Sequence, residues 1–134
     1  MHHATGTFEV TVTPEAQASG EGGAFPTSRM GLLKRFAGGI DGTARGTMLA
    51  AGIPKAGNAA AYVAIDQFEG RVDGKAGGFA LLHRGTMTKA GGGELTIIVA
   101  PDTGTGALNG IEGTLAITVE GGVHRYDFAY TLPE

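Results

Sequence analysis

The sequence predicts an all-β fold: one domain over residues 1–134, closed into a single antiparallel barrel of eight strands. Three observations predict it. Apolar residues alternate with a period of two between interrupting glycines, the signature of half-buried strands. Glycine supplies 25 of the 134 residues, which suits many short strands and tight turns better than a helical bundle. Two segments, Tyr62 to Gly85 and Thr114 to Leu132, fold about two-residue turns into hairpins that each gather aromatic and aliphatic side chains on one face.

Taken in order, the alternation marks strands at 4–12, 28–37, 43–51, 60–72, 76–88, 94–100, 113–120 and 123–132, with no helix required. Residues 13–26, from Thr13-Pro14-Glu15 to Phe25-Pro26, lack alternation and are rich in glycine, alanine and proline, so they are expected to form a flexible loop or flap. In 28–37, Lys34 shares its side of the strand with Leu32 and Phe36. It shares that side with Arg45 or Thr47 of the next strand only if the loop near Asp41-Gly42 has even length. Between 60–72 and 76–88, Asp73-Gly74 is a turn whose positive φ angles match strand twist. Pairing outward from it sets Phe68 opposite Phe79, Asp66 opposite Leu81 and Ala64 opposite His83. About Gly121-Gly122 the last hairpin opposes Val119 to His124, Ile117 to Tyr126 and Leu115 to Phe128.

Closure is inferred from the edges, with an open sandwich as the alternative. Eight strands left flat would expose two rows of unpaired backbone groups, and closing the sheet removes both while leaving an interior about wide enough for one ligand. The aromatic faces should then point inward.

A net charge of −3 and a pI near 5.8 offer no basic surface for phosphates or anionic lipids, so neither nucleic acid nor membrane is expected as a partner. Without cysteine, disulfides, thiolate metal sites and cysteine nucleophiles are excluded. The stretch Met1 to Gly6 has no cationic and apolar signal pattern, and a cytoplasmic location is the expectation. His2 and His3 read as a frayed end rather than a metal site.

One constellation looks chemical, the alternative being a buried hydrogen-bonded pair that only fixes strand register. Tyr62, Asp66 and His83 share a face with Phe68 and Phe79, and Asp66 and His83 lie diagonally across neighbouring strands, about 7 Å apart between backbones. A carboxylate there can orient an imidazole, and an apolar wall with a nearby cation tunes both for proton transfer. Tyr126 and His124 fall on the apolar face of the final hairpin with Phe128, where they could donate hydrogen bonds to a bound molecule. Lys34, if inward, could pair with Asp66 or with a ligand carboxylate. The glycine run Pro101 to Gly110 lacks the lysine and hydroxyl of a phosphate loop, and Ser19 and Ser28 sit in no nucleophile motif. No cofactor and no metal are expected.

The stretches Gly57 to Gly70, His83 to Met87, Pro101 to Gly106 and His124 to Tyr130 resemble a bacterial family of unknown function whose fold is similar to the allene oxide cyclase-like barrel. The resemblance covers nearly the whole chain. It implies an eight-stranded barrel with a ligand-sized interior, frequent homo-oligomers, and kinship with cyclases acting on hydrophobic small molecules. It also sets Asp66 where that family carries an acidic residue and Thr47 where a glutamate is common. Together these readings give a barrel binding a small hydrophobic molecule, with Tyr62, Asp66 and His83 as catalytic candidates. Tyr126, Lys34, Phe68, Phe79, His124 and Phe128 are the substrate-binding candidates. Cofactor-free isomerisation, cyclisation or lyase chemistry is one use of such a cavity. A non-catalytic carrier and a structural oligomer with a filled core are the others.

Overall fold

The computed structural model describes residues 1–15, 27–52 and 57–133. Eight antiparallel strands follow one another around a closed barrel: β1 (His2–Pro14), β2 (Thr27–Gly38), β3 (Ile40–Gly52), β4 (Ala60–Val72), β5 (Lys75–Met87), β6 (Gly93–Val99), β7 (Glu112–Glu120) and β8 (Val123–Thr131). Each strand pairs with the next, and β8 returns to β1 from His2–Tyr130 to Phe8–His124. No helix among the described residues is long and apolar enough to cross a membrane.

The expected registers hold. Phe68 faces Phe79, Asp66 faces Leu81 and Ala64 faces His83, about a turn in which Asp73 (φ 48°) and Gly74 (φ 83°) both occupy the left-handed region. In the last hairpin Val119, Ile117 and Leu115 face His124, Tyr126 and Phe128. Three details differ from expectation, and a fourth settles a parity the sequence leaves open. Thr13 and Pro14 continue β1 and pair with Gly31 and Met30, so that part of the anticipated flap is ladder, and residues 16–26 lie outside the described residues. His2 and His3 begin β1 rather than fraying, and His3 Nδ1 lies 2.8 Å from the Asp127 carboxylate on the outside. A 3₁₀ turn at Gly106–Leu108 interrupts the β6–β7 connection, where no helix was expected. Lys34 pairs with Ala44, so Arg45 and Thr47 fall on the opposite face of β3.

Alternation fills the interior unevenly. At the end holding the β2–β3 and β4–β5 turns, rings touch in series. Phe36 meets Phe68 edge-on at 5.9 Å, Phe68 meets Phe79 at 5.0 Å, Phe79 stacks on Phe128 at 5.6 Å, and Phe128 on Tyr130 at 5.2 Å. Leu108 and Ile111 of the β6–β7 connection are sealed into the same core and close that end. Burying a large apolar side chain stabilises the fold by about 1.5–3 kcal/mol, so this half is the main source of stability. Toward the other end the lumen side is mostly aliphatic, with Tyr62 and His124 among its residues. Val12, which pairs with Leu32 on the Lys34 side of β2, is 46% exposed, and Leu95 and Val119 on the lumen sides of β6 and β7 are 46% and 60% exposed. Among the described residues, that end shows lumen-side aliphatics to solvent.

β6 and β7 pair only at Ile98–Thr114, the slimmest seam in the wall. Outside, Leu49, Val63, Ile65 and Leu82 stand exposed on adjacent strands β3, β4 and β5.

Candidate functional site

Among the described residues, three charged or ionisable side chains other than tyrosines are buried, and they form one cluster where the aromatic half gives way to the aliphatic half. Asp66 is 0% exposed, His83 4% and Lys34 7%. Their meeting depends on β3. Lys34 on β2 stands opposite Ala44, and the next lumen-side residue of β3, Gly46, stands opposite Asp66 on β4. With a methyl group and a hydrogen at these two positions, the lysine side chain passes over β3 and its Nζ donates to Asp66 Oδ2 at 2.7 Å. His83 arrives from β5 along the diagonal that places Ala64 and Leu81 opposite the pair, and its Nε2 lies 2.8 Å from the same Oδ2.

A carboxylate oxygen only accepts, so the Nε2 contact assigns the proton of neutral His83 to Nε2 and leaves Nδ1 as its lone-pair nitrogen. Lys34 Nζ lies 3.4 Å from that same Nε2; with the Nε2 proton committed to Asp66, this is proximity rather than a hydrogen bond. Nζ also sits 5.8 Å from the centre of the Phe8 ring. Burial by itself would raise the Asp66 carboxyl. The His83 hydrogen bond, the charge of Lys34, the charge His83 carries when protonated and the hydrogen bond from Lys34 outweigh it and hold the group below the ordinary carboxylate range. Asp66 Oδ1 is sealed against the Cα of Gly46 and has no hydrogen-bond partner.

The other anticipated site residues have separate positions. Tyr62 is on the lumen side, but its ring covers Gly85 near the open end, two lumen-side positions from Asp66 or about 13 Å of strand. Burial raises its phenol, and nothing joins it to the Asp66–His83 pair. Tyr126 donates its hydroxyl proton to the backbone carbonyls of Ala37, at 2.8 Å, and Ile40, at 3.1 Å, and accepts from the Ile40 N–H at 2.8 Å. It anchors the β2–β3 turn instead of facing a ligand. His124 packs on Phe8 at 5.1 Å near the open rim. Phe68, Phe79 and Phe128 belong to the packed floor beneath the cluster. Thr47, paired with Ile65, faces outward, so a carboxylate at that position would not share the lumen with Asp66. The sequence reading missed Gly46 and Ala44, whose small size at alternate positions of β3 was the available signal, and Phe8 beside the lysine.

A depression of about 790 Å³ lies elsewhere, on the outer wall over Thr43, Arg45, Gln67, Glu69 and Thr103. It has none of the three clustered side chains on its wall and no buried charge, so it stands apart from the cluster. Among the described residues, no group of three or more His, Asp or Glu side chains is placed to hold a metal ion.

Fold and cluster together define a closed eight-stranded antiparallel barrel with a buried lysine–aspartate–histidine group across its lumen. The family model described as "Protein of unknown function (DUF3224)" matches residues 4–130, and the chain belongs to that family. It is similar to a protein of unknown function of the DUF3224 family from Shewanella oneidensis MR-1, whose crystal structure superposes with a TM-score of 0.89. The two share 38% identity over 100% of this chain and 99% of that one. No curated protein matches the chain.

Proposed function

We propose that the open half of the lumen binds a small, mostly apolar molecule whose polar end reaches Lys34 and His83, and that these two residues perform cofactor-free acid–base chemistry on it. One observation carries this reading: a buried imidazole, oriented through Nε2 by a carboxylate, keeps Nδ1 unpartnered beside an ammonium and below solvent-exposed, lumen-side aliphatics. Asp66 holds the imidazole in one tautomer and orientation, as the acid of a catalytic dyad does. His83 Nδ1 is the base, and Lys34 steadies negative charge as it develops on the substrate. An isomerisation, cyclisation or elimination needs only a proton removed at one carbon and returned at another atom. The resemblance of the sequence to a family whose barrel is similar to that of cyclases of hydrophobic molecules agrees with this, as an analogy.

A carrier without turnover is the second reading. It is favoured by the absence of any tyrosine hydroxyl at the cluster, since Tyr126 is spent on backbone and Tyr62 lies near the rim.

Native mass spectrometry of freshly purified protein tests the shared part: a co-purified molecule of a few hundred daltons is expected, and its absence together with a failure of any apolar additive to raise the melting temperature would refute binding. With the molecule in hand, His83→Phe separates the two readings. Loss of turnover with the fold kept supports the enzyme, and no turnover by the wild-type protein supports the carrier.

A further inference from the structure

The donors and acceptors of the cluster are not evenly spent. Asp66 Oδ2 receives both Lys34 Nζ and His83 Nε2, which leaves two N–H groups on the lysine and the Nδ1 lone pair on the histidine. Among the described residues, Asp66 Oδ1 is the one side-chain polar atom that is both sealed from solvent and unpartnered. His83 Nδ1 makes no hydrogen bond either, so it opens onto accessible space. Lys34 and His83 hold what little exposure the cluster has, while Asp66 has none. The group therefore shows the lumen an ammonium and a bare proton acceptor, and conceals its carboxylate.

Charge balance turns this into selectivity. With Lys34 charged, Asp66 ionised and His83 neutral, the cluster sums to zero. An anion pressed against Lys34 would leave one uncompensated charge in an apolar lumen, which desolvation penalises. A proton added at Nδ1 removes that charge and supplies a second donor to the anion. The groups facing His83 allow it: Lys34 from β2 and Asp66 from β4 are the charged ones, while Ala64 on β4 and Ile97 on β6 stand directly opposite it and are apolar.

Resting on the reading of the lumen as a binding site for apolar molecules, we propose that its ligand is a weak acid, bound as its anion with uptake of one proton from solvent at His83 Nδ1. No bond in the ligand breaks in this step; the proton comes from water or buffer, and the ion pair formed is ligand anion with imidazolium and ammonium. Molecules with a carboxylic acid, phenol or enolisable dicarbonyl group have this chemistry. An alcohol of the same shape gains a hydrogen bond without the ion pair, and an amine meets Lys34 with like charge.

Isothermal titration calorimetry with 1-naphthylacetate, 2-(1-naphthyl)ethanol and 2-(1-naphthyl)ethylamine tests the assignment. The titrations are run at pH 8 in phosphate and in Tris, whose different ionisation heats count protons. The acetate is expected to bind about tenfold more tightly than the alcohol, as a charge-assisted hydrogen bond outweighs a neutral one, with uptake of about one proton per site, and the amine to bind most weakly. Lys34→Met should abolish the preference and His83→Phe the uptake. The proton count on the wild-type protein stands even if a variant fails to fold. Binding of acetate and alcohol with equal affinity, or of the acetate without proton uptake, overturns this inference and leaves the binding reading intact. Failure of all three probes to bind overturns the binding reading itself.

Discussion

The Cα of Gly46 lies directly against the carboxylate of Asp66, so closely that a methyl group built there overlaps Oδ1 and crowds the backbone carbonyl of Ile65. Neither neighbour yields easily, since one belongs to a β4 side chain fixed by two donors and the other to the ladder itself. Gly46→Ala should therefore cost about 1–3 kcal/mol, the range for overpacking. A urea transition whose midpoint does not move would show that the wall tolerates the methyl.

Breaking the buried pair from one side should be worse than removing it from both. Lys34→Met leaves Asp66 ionised in the lumen with His83 alone, and loss of one partner of a buried pair costs about 3–5 kcal/mol. The double variant Lys34→Met/Asp66→Leu leaves no orphan charge and should recover much of that loss. A double-mutant cycle in urea measures the coupling, and simple additivity of the two single changes would contradict the geometry.

The same carboxylate sets an acid limit. The fold depresses the Asp66 pKa, so the stabilisation is complete above the ordinary aspartate range, about pH 3.9, and fades as pH falls through the lower native value. Comparing unfolding free energies of wild type and Asp66→Asn between pH 7 and pH 2 should give a gap that is full at pH 6 and closes at the acid end. A gap that widened on acidification would reverse the assigned sign.

Tyr126→Phe separates scaffold from site. The variant loses the hydroxyl that ties Ala37 and Ile40 together and leaves the Ile40 N–H without its partner, at a cost of about 1–3 kcal/mol. Affinity for the lumen probes should be unchanged. A variant as stable as wild type but impaired in binding would return Tyr126 to the ligand.

Tyr130 provides a spectroscopic handle at the closed end. Its hydroxyl donates to the Asp73 carboxylate at the β4–β5 turn; burial first, then that hydrogen bond and charge, push its phenol up to about 12. A raised acid stabilises the fold below the unfolded value near 10 and loses this contribution as pH climbs toward 12. Ultraviolet titration should find the tyrosines ionising above their ordinary range, with Tyr130 late, near 12, and Asp73→Asn should bring that one earlier.

How much of this was legible in the residues follows from which interactions are local. Asp73-Gly74 and Gly121-Gly122 fix their own hairpin registers, so the Asp66–His83 diagonal and the Tyr126–Ile117 opposition could be counted outward from the turns. Lys34 could not be placed in that way, because its side depends on the loop between β2 and β3, where the excursion around Gly38 (φ 105°) and Gly39 makes Ala44 its partner and sends Thr47 outside. The fate of the Tyr126 hydroxyl was beyond reach for a similar reason: its partners lie 86 and 89 residues away in sequence and meet it only once β8 closes on β1. Pattern gives a side chain its face; it does not say whether the space in front of that face is already taken.

The rings from Phe36 to Tyr130, with Leu108 and Ile111 behind them, stopper one end of the cylinder. A tube corked in this way cannot serve as a conduit. On the proposed reading, a guest at Lys34 and His83 would enter and leave past the opposite rim, so it would have to clear the threshold before its successor arrives, and Val12, Leu95 and Val119, which stand there, would meet it in both directions.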